Sequence, residues 1–374
     1  MAASLNRRIF FPTHAIGFGP FQTETYTTVH GAQTVGINTN FTLDPILELG
    51  QAALYELVEQ VPEIEVTTEK VLDGNPLLYH LATRGAPDGS LFGRANQRSM
   101  FGMSVYGDTQ NAASGTPTSQ IECSGLYWSQ HTLTFATDGP FKEALTLVGN
   151  NKLYRSSGFT FSPTGLVNTD APLSLVGSGG VQLRRDMIFY PILGVGDPLY
   201  SLETTNALDV NGQVKAYLTI LPPDVQGISS SGTNDRIGGD QFTAHIQNIT
   251  VSINAGRDAV LELGRKEPYF RFMTIPISAT CEISTIATEA DTISAIEKGQ
   301  DGFGNNLTNR SIYLRSREGT FVSLGTQNKL QSVSFQGGGT DGGQVTTTYT
   351  FITYNFYIVS HPQDPDSHPY PLFA

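Results

Sequence analysis

Apolar and polar residues alternate with period two through much of this chain. That is the signature of strands whose successive side chains point to opposite faces. In VPEIEVTTEKV (61–71), Glu63, Glu65, Thr67 and Glu69 fall on one face and Ile64, Val66 and Thr68 on the other. In IPISATCEIST (275–285), Ile275, Ile277, Ala279, Cys281 and Ile283 share one face, opposite Ser278, Thr280, Glu282 and Ser284. HTLTFATDGPFKEALTLVGNNKLY (131–154) and LQSVSFQGGGTDGGQVTTTYTFITYNFYIV (330–359) each read as strand, Gly- and Asp-rich turn, strand, which is a hairpin pattern. TEADTISAIEKG (288–299) predicts a short helix, with acidic residues early, Lys298 late and Gly299 as its stop. PILELGQAALYELV (45–58) also admits a turn or two of helix.

The same pattern occurs twice, in order. Thr34, Val35, Ile37 and Asn38 of VHGAQTVGIN match Thr250, Val251, Ile253 and Asn254 of AHIQNITVSIN. DPILELG (44–50) then matches DAVLELG (258–264), and Tyr55, Val58, Val61 and Pro62 match Tyr269, Phe272, Ile275 and Pro276. FPTHAIG (11–17) and LPPDVQG (221–227) share a proline-to-glycine spacing. Such self-similarity points to a duplicated unit. The second copy carries Pro268, which keeps any helix at the DxxLELG position short. The expected fold is mainly β: two tandem barrel or sandwich domains, each with a short helix. The boundaries are 1–154 for the first domain, 155–215 for an inserted loop or strand excursion, 216–360 for the second domain and 361–374 for an extended tail. SSSGTND (229–235) and QGGGTDGGQ (336–344) read as exposed loops.

Composition narrows the role. Charged residues are only 15% of the chain. A surface with so few charges suits burial against other subunits, because interface cores are depleted in charge. The 22 Lys and Arg against 34 Asp and Glu give a net charge of −12, which argues against a surface built to grip phosphates. Cys123 and Cys281 are too few for a disulfide framework and form no CxxC pair, so both are expected as buried hydrophobes. No window approaches the roughly 18 apolar residues of a spanning helix, and the opening MAASLNRRIFFPTH has no cleavable signal pattern. The expectation is a protein made in a cytoplasm, with no membrane partner.

The segment from LPPDVQG through AHIQNITVSINAGRDAVLELGRKEPYFRFMTIPISATCEISTIATEAD resembles the tail tube proteins of tailed bacteriophages. The resemblance is carried by Gly256-Arg257-Asp258, Leu261 to Lys266, Pro268-Tyr269 and Arg271, a "GR(D/E)xLxELGRKxPYxR" stretch between strands. TFATDGPFKEALTLVGNNKLY is similar to the strand-and-hairpin part of such proteins. The first copy keeps DxxLELG but has Thr42-Leu43 and Gln51-Ala52 where the second has Arg and Lys. The likeness covers most of the chain apart from about 155–215 and the tail.

This resemblance implies a structural role. Tube subunits form rings that stack into a conduit for the genome, and neighbouring strands join into one inner barrel. Two tube domains per chain imply trimeric rings with pseudo-sixfold symmetry; six chains per ring, with the extra domain outside, is the alternative. The partners implied are the chain itself, other tail proteins and viral DNA passing without specific binding, in a virion tail assembled in the host cytoplasm. An acidic lining would keep DNA sliding, and the face of Glu63, Glu65 and Glu69 is the candidate, with Glu282 in the second copy. The competing reading has these carboxylates in solvent or paired with a neighbour's Lys and Arg. Arg257, Arg265, Lys266 and Arg271 form one basic cluster, read as inter-subunit salt bridges rather than as a DNA contact.

No enzyme or cofactor is expected: GxxxxGK[ST], HExxH and GxSxG are all missing. His361, Asp364, Asp366 and His368 lie close in sequence, as a metal site requires, but the prolines around them favour a loose tail. Two other classes remain open. One is a different β-rich virion part, such as a tail completion or capsid decoration protein. The other is a carbohydrate-binding or hydrolytic β-sandwich, which needs paired carboxylates in an aromatic cleft, and Trp128 is the only tryptophan on offer.

Overall fold

A computed structural model describes residues 14–107, 117–156, 158, 160–162, 180–188, 246–265, 268–287, 312–316, 318–337 and 344–366. The fold is mainly β. Its centre is an antiparallel sheet in the order β3-β6-β9-β8-β13-β16-β20-β19. The first four strands are β3 (Ala32–Asn40), β6 (Glu63–Val71), β9 (Lys142–Gly149) and β8 (Ser119–Ala136). The second four are β13 (Ile246–Asn254), β16 (Ser278–Ile286), β20 (Thr346–Tyr354) and β19 (Lys329–Gln336). The seam between them is β8 against β13, with Leu133 opposite Val251 and Phe135 opposite Ile249. Among the described residues the sheet stays open, with β3 and β19 as its edges, so they do not close the expected barrel within one chain.

The two runs share strand order and irregularities. The β3·β6 ladder shifts register between Ala32 and Thr34, and β13·β16 between Ile246 and Asn248. The β8·β9 ladder shifts between Trp128 and Gln130, and β19·β20 between Leu330 and Ser332. A bulge bends its strand and fixes its register, and these four fall at like places in the two strand orders. The ladders also correct one detail of the sequence match. Asn40 stands opposite Glu63 and Asn254 opposite Ser278, so Asn40 rather than Asn38 occupies the Asn254 position.

Each half carries a second sheet. In the first half β1 (His14–Pro20), β7 (Ser99–Val105), the first part of β8 and β10 (Asn151–Arg155) pair in that order. β2 (Thr25–Thr28) and β11 (Thr160–Ser162) extend it beyond β1, and β11 runs parallel to β2. In the second half the order is β12 (Met187–Ile188), β17 (Tyr313–Ser316), β18 (Phe321–Ser323), β21 (Ile358–Ser360). β12 therefore takes residues 187–188, from the expected excursion, into the second half. One continuous core joins both halves, with Ile64, Val66, Trp128, Leu133, Leu147, Val251, Cys281, Ile283 and Phe351 all essentially buried. Burying such side chains stabilises by about 1.5–3 kcal/mol each, and a one-residue slip would expose a whole strand's set. Both cysteines are buried, and burial pushes their thiols up to about 12.

Two short helices sit under the first half, α1 (Leu78–Ala82) and α2 (Leu91–Ala95). Neither lies where a helix was expected. Residues 288–299 lie outside the described residues. Residues 45–58 are not helical: they form the hairpin β4 (Leu43–Leu47) and β5 (Leu54–Glu59). Gly50 explains this, because it sits at φ +91 and turns the chain back where a helix would have to continue. The corresponding hairpin is β14 (Arg257–Val260) and β15 (Phe270–Met273), with Gly264 at φ +83.

Candidate functional site

Three surfaces stand out: the open face of the central sheet, its two edges and the two hairpins. The open face alternates with the core face along every strand. It carries mostly hydroxyls and amides, such as Asn38, Thr67, Thr146, Thr250, Ser252, Thr280 and Ser334, with Ala144, Val148 and Ile352 among them. Cross-strand bonds tie some together, Ser252 Oγ to Thr280 Oγ1 at 2.8 Å and Ser284 Oγ to Thr348 Oγ1 at 3.0 Å. All the glutamates singled out in the sequence lie on this face, Glu63, Glu65 and Glu69 on β6 and Glu282 on β16. Among the described strands it holds two lysines, Lys142 and Lys329. Lys142 Nζ is 2.9 Å from Glu69 Oε1, and Glu63 pairs with Arg271. Glu65 and Glu282 carry no ion pair among the described residues. The face is polar, poor in cations and weakly acidic.

The edges are complementary in direction. Counting antiparallel steps across the sheet, β3 runs with β13, and β19 runs with β8. The edge β19, unpaired on its outer side among the described residues, therefore faces outward as β8 does at the seam, and β3 faces outward as β13 does. Unpaired strands of this length are templates for another chain.

The hairpins leave the same rim, because β3 and β13 both run toward it. Their tips are the repeated LELG sequence, and Leu49 and Leu263 there are 102% and 104% exposed. A Cβ added at Gly50 or Gly264 would meet nothing within 4 Å, so these glycines serve the turn and not a close contact. Phe41, Leu43, Ile46, Leu47, Leu54, Tyr55 and Leu57 of the first hairpin are also exposed. A lone two-stranded hairpin is marginal in water, so so much exposed apolar surface calls for a partner.

The basic cluster is only partly available to neighbours. Arg271 Nη1 lies 3.2 Å from Glu63 Oε1 and its Nη2 3.0 Å from Asn150 Oδ1, across the seam within one chain. Arg257 donates to the carbonyls of Trp128 (2.7 Å) and Ala95 (2.8 Å), and burial lowers its guanidinium to about 10. Arg265 stands at the exposed tip, 3.4 Å from Glu262. Lys266 lies outside the described residues.

Sequence reasoning missed a buried polar cluster that locks the halves together. Glu143 accepts the N–H groups of Leu78 (2.8 Å) and Tyr79 (2.9 Å) and meets His131 Nε2 at 3.0 Å, with no solvent exposure. Burial alone would raise its carboxyl, but the His131 hydrogen bond and charge, then Lys70 and the Tyr79 N–H, bring it below the usual range. From the second half, Tyr357 reaches His131, Asp364 pairs with Arg94 at 2.6 Å, and the Val359 carbonyl meets His80 Nε2 at 3.0 Å. Asp366 accepts the Gly85 N–H at 2.8 Å. Residues 361–366 thus pack against their own chain, and the reading of a loose tail there is corrected: Asp364 is held by the buried guanidinium of Arg94. His368 lies outside the described residues, which contain no cluster suited to a metal. No helix of the described residues is long and apolar enough to cross a membrane.

No protein-family model matches the chain, and no curated protein matches its sequence. Among solved structures it is similar to a chain of the anti-feeding prophage baseplate, 6-fold symmetrised, at 9% identity and a TM-score of 0.32, covering 41% of this chain and 98% of that one. It is also similar to a chain of the anti-feeding prophage cap, the tube-terminating cap, at 12% identity and a TM-score of 0.31, covering 42% of this chain and all of that one.

Proposed function

We propose that this chain is a structural subunit of a phage tail tube, polymerising into stacked rings that conduct the genome. The observation that carries the reading is the central sheet: two four-stranded runs of one order, joined at β8·β13 and ending in free edges of matching direction. Repeating the seam between chains pairs β19 of one copy with β3 of the next, antiparallel throughout. This is a head-to-tail contact, which closes into a ring when its rotation does. The two runs are the products of a duplication, and three chains supply six tube units.

Size favours three chains. At a strand spacing of about 4.8 Å and a tilt of about 40°, three chains close their strands into a barrel about 48 Å across at the backbone, which passes a duplex about 20 Å wide. The Ser, Thr and Glu face lines that lumen, offers phosphates few cations and lets DNA slide. The Leu49 and Leu263 tips, on one rim, contact the next ring in the stack. Nothing in this role calls for catalysis or a cofactor.

Negative-stain electron microscopy of the purified protein, with mass determination of any rings, tests the reading. Hollow tubes built of three-chain rings are expected. Six-chain rings would remove the pseudo-sixfold trimer. Single rings that never stack would point to a completion or decoration protein, and a chain that stays monomeric at high concentration would overturn the tube reading.

A further inference from the structure

The contact between chains has a template inside each chain, because hairpin β14–β15 leans on the first half beside the β8·β13 seam. Its Arg271 bonds Glu63 and Asn150. Its Phe270 meets Tyr127 edge-on, with ring centroids 5.8 Å apart. If β19 pairs with β3 of another copy, as the ring reading requires, hairpin β4–β5 of that copy leans on the second half in the same way.

The ladders fix which residues then meet. Asp44 opposite Val58 corresponds to Asp258 opposite Phe272, which places Leu57 at the Arg271 position and Glu56 at the Phe270 position. Trp128 opposite Leu147 and Leu330 opposite Phe351 flank the shared bulge, which places Lys329 at the Tyr127 position. Ile64 opposite Gly149 corresponds to Ala279 opposite Thr353, which places Ser278 at the Glu63 position and Tyr354 at the Asn150 position.

The chemistry changes at every one of these places, and it changes on both sides together. An aromatic pair, Phe270 with Tyr127, becomes an acid and a base, Glu56 with Lys329. A cation with its acceptors, Arg271 with Glu63 and Asn150, becomes Leu57 against the Tyr354 ring, with the small Ser278 where the carboxylate stood. Leu57 and Tyr354 are 49% and 56% exposed in the single chain, and Glu56 and Lys329 are exposed too. Between residues 41 and 62 the first hairpin holds Asp44, Glu48, Glu56 and Glu59 and no Lys or Arg, so a lysine suits it as a partner.

We propose that a second copy of this chain seats its β4–β5 hairpin on the β19–β20 rim through a Glu56–Lys329 ion pair and a Leu57–Tyr354 contact. The proposal rests on the ring reading and makes it specific. The two seams are not interchangeable. A β4–β5 hairpin placed on a first half would bring Leu57 against the Glu63 carboxylate and Glu56 against Tyr127, leaving a buried charge unmatched. Discrimination of this kind uses mismatch against the wrong partner as well as fit to the right one. It makes ends of unlike type join and sets the alternation of halves around the ring.

Charge reversal tests it. Glu56→Lys and Lys329→Glu are each expected to raise the protein concentration needed for half-maximal ring formation about tenfold or more, read by mass photometry. The double variant is expected to return to within about threefold of wild type. Leu57→Asp should weaken assembly as the single reversals do. All four side chains are exposed, so circular dichroism and Tm of the monomer should not move, which separates lost association from lost folding. Single reversals that assemble like wild type would overturn this contact while leaving the ring reading intact. Singles that fail with no recovery in the double would overturn the Glu56–Lys329 pairing. A wild-type chain that forms no rings would overturn both.

Discussion

The Tyr357 hydroxyl lies 2.7 Å from His131 Nδ1, and both residues are buried, one from each half of the molecule. The phenol and the ring nitrogen share one buried hydrogen bond, and among the described residues neither has another partner for it. Tyr357→Phe removes the hydroxyl and keeps the ring packed against Tyr79. The imidazole nitrogen is then buried without a partner, which costs about 1–3 kcal/mol. A urea midpoint lowered by that energy divided by the slope, with the slope unchanged, is expected. An unchanged midpoint would show that the cluster does not join the halves.

The Arg94–Asp364 pair makes a stronger demand. Both side chains are essentially buried at 2.6 Å. Asp364→Leu strands a guanidinium left, among the described residues, with its bond to Thr83 at 2.8 Å and the face of the Tyr79 ring, and should cost about 3–5 kcal/mol. Arg94→Met with Asp364→Leu removes both charges and should recover most of that loss. Equal destabilisation in the single and double variants would contradict the pairing.

Much of the fold could be read from the chain because period-two alternation is a local signal. It marked β6 and β16 with their faces, apart from Ile275, which precedes β16 and is exposed, and it marked the hairpins β8–β9 and β19–β20 as strand, turn, strand. It failed at 45–58, where apolar residues suggested a helix: nothing local reveals that Gly50 turns the chain back. The β3 match was two residues out for a related reason. Shifting Thr, Val, Ile and Asn along a strand by two keeps every side chain on its face, so residue type alone cannot choose the register. The buried cluster was out of reach because its members are far apart in sequence, as Tyr357 is from His131. Arg271 shows the limit for site residues. Its charge suggested a neighbour, and only the packing of the seam reveals that its carboxylate is Glu63 of the same chain.

Acid should destabilise the folded chain through His361. Burial first, then Lys70, holds its imidazole down to about 4, against the opposing pull of Glu143, Asp73 and Asp364. An unfolded histidine titrates near ~6.5. Between those values the unfolded chain takes up a proton that the folded chain refuses, so stability falls as pH drops through the window. The whole span amounts to about 3 kcal/mol. His80 is also held well below its usual value, by burial and then Arg94, and adds in the same direction. The gap between urea midpoints taken at neutral pH and near the lower limit should narrow in His361→Asn, whose amide oxygen can still accept the Gln363 N–H, and His80 accounts for what remains. An equal pH dependence in wild type and variant would rule His361 out.

The hairpin tips are predicted to act only in stacking. Leu49 and Leu263 are fully exposed, so replacing both with Ser removes no packing inside the chain and should shift Tm negligibly. Rings should still form, since the proposed β3–β19 seam is untouched, while tubes shorten or vanish in micrographs. Tubes of normal length would place the stacking contact elsewhere on the rim.

The open face is predicted to decide whether DNA slides or sticks. Glu65 and Glu282 face away from the core and carry no ion pair among the described residues, so Lys at both should leave folding and tube assembly intact. Each chain would gain four units of positive charge on the lining, repeated in every ring. Phosphates that met a weakly acidic wall would then meet paired-up ammonium groups, and release of their counterions would drive binding. Short duplex DNA should co-sediment with E65K/E282K tubes at about 50 mM salt and come free at about 200 mM, while wild-type tubes hold none at either. Retention by wild-type tubes, or none by the variant, would mean that this face does not line the channel.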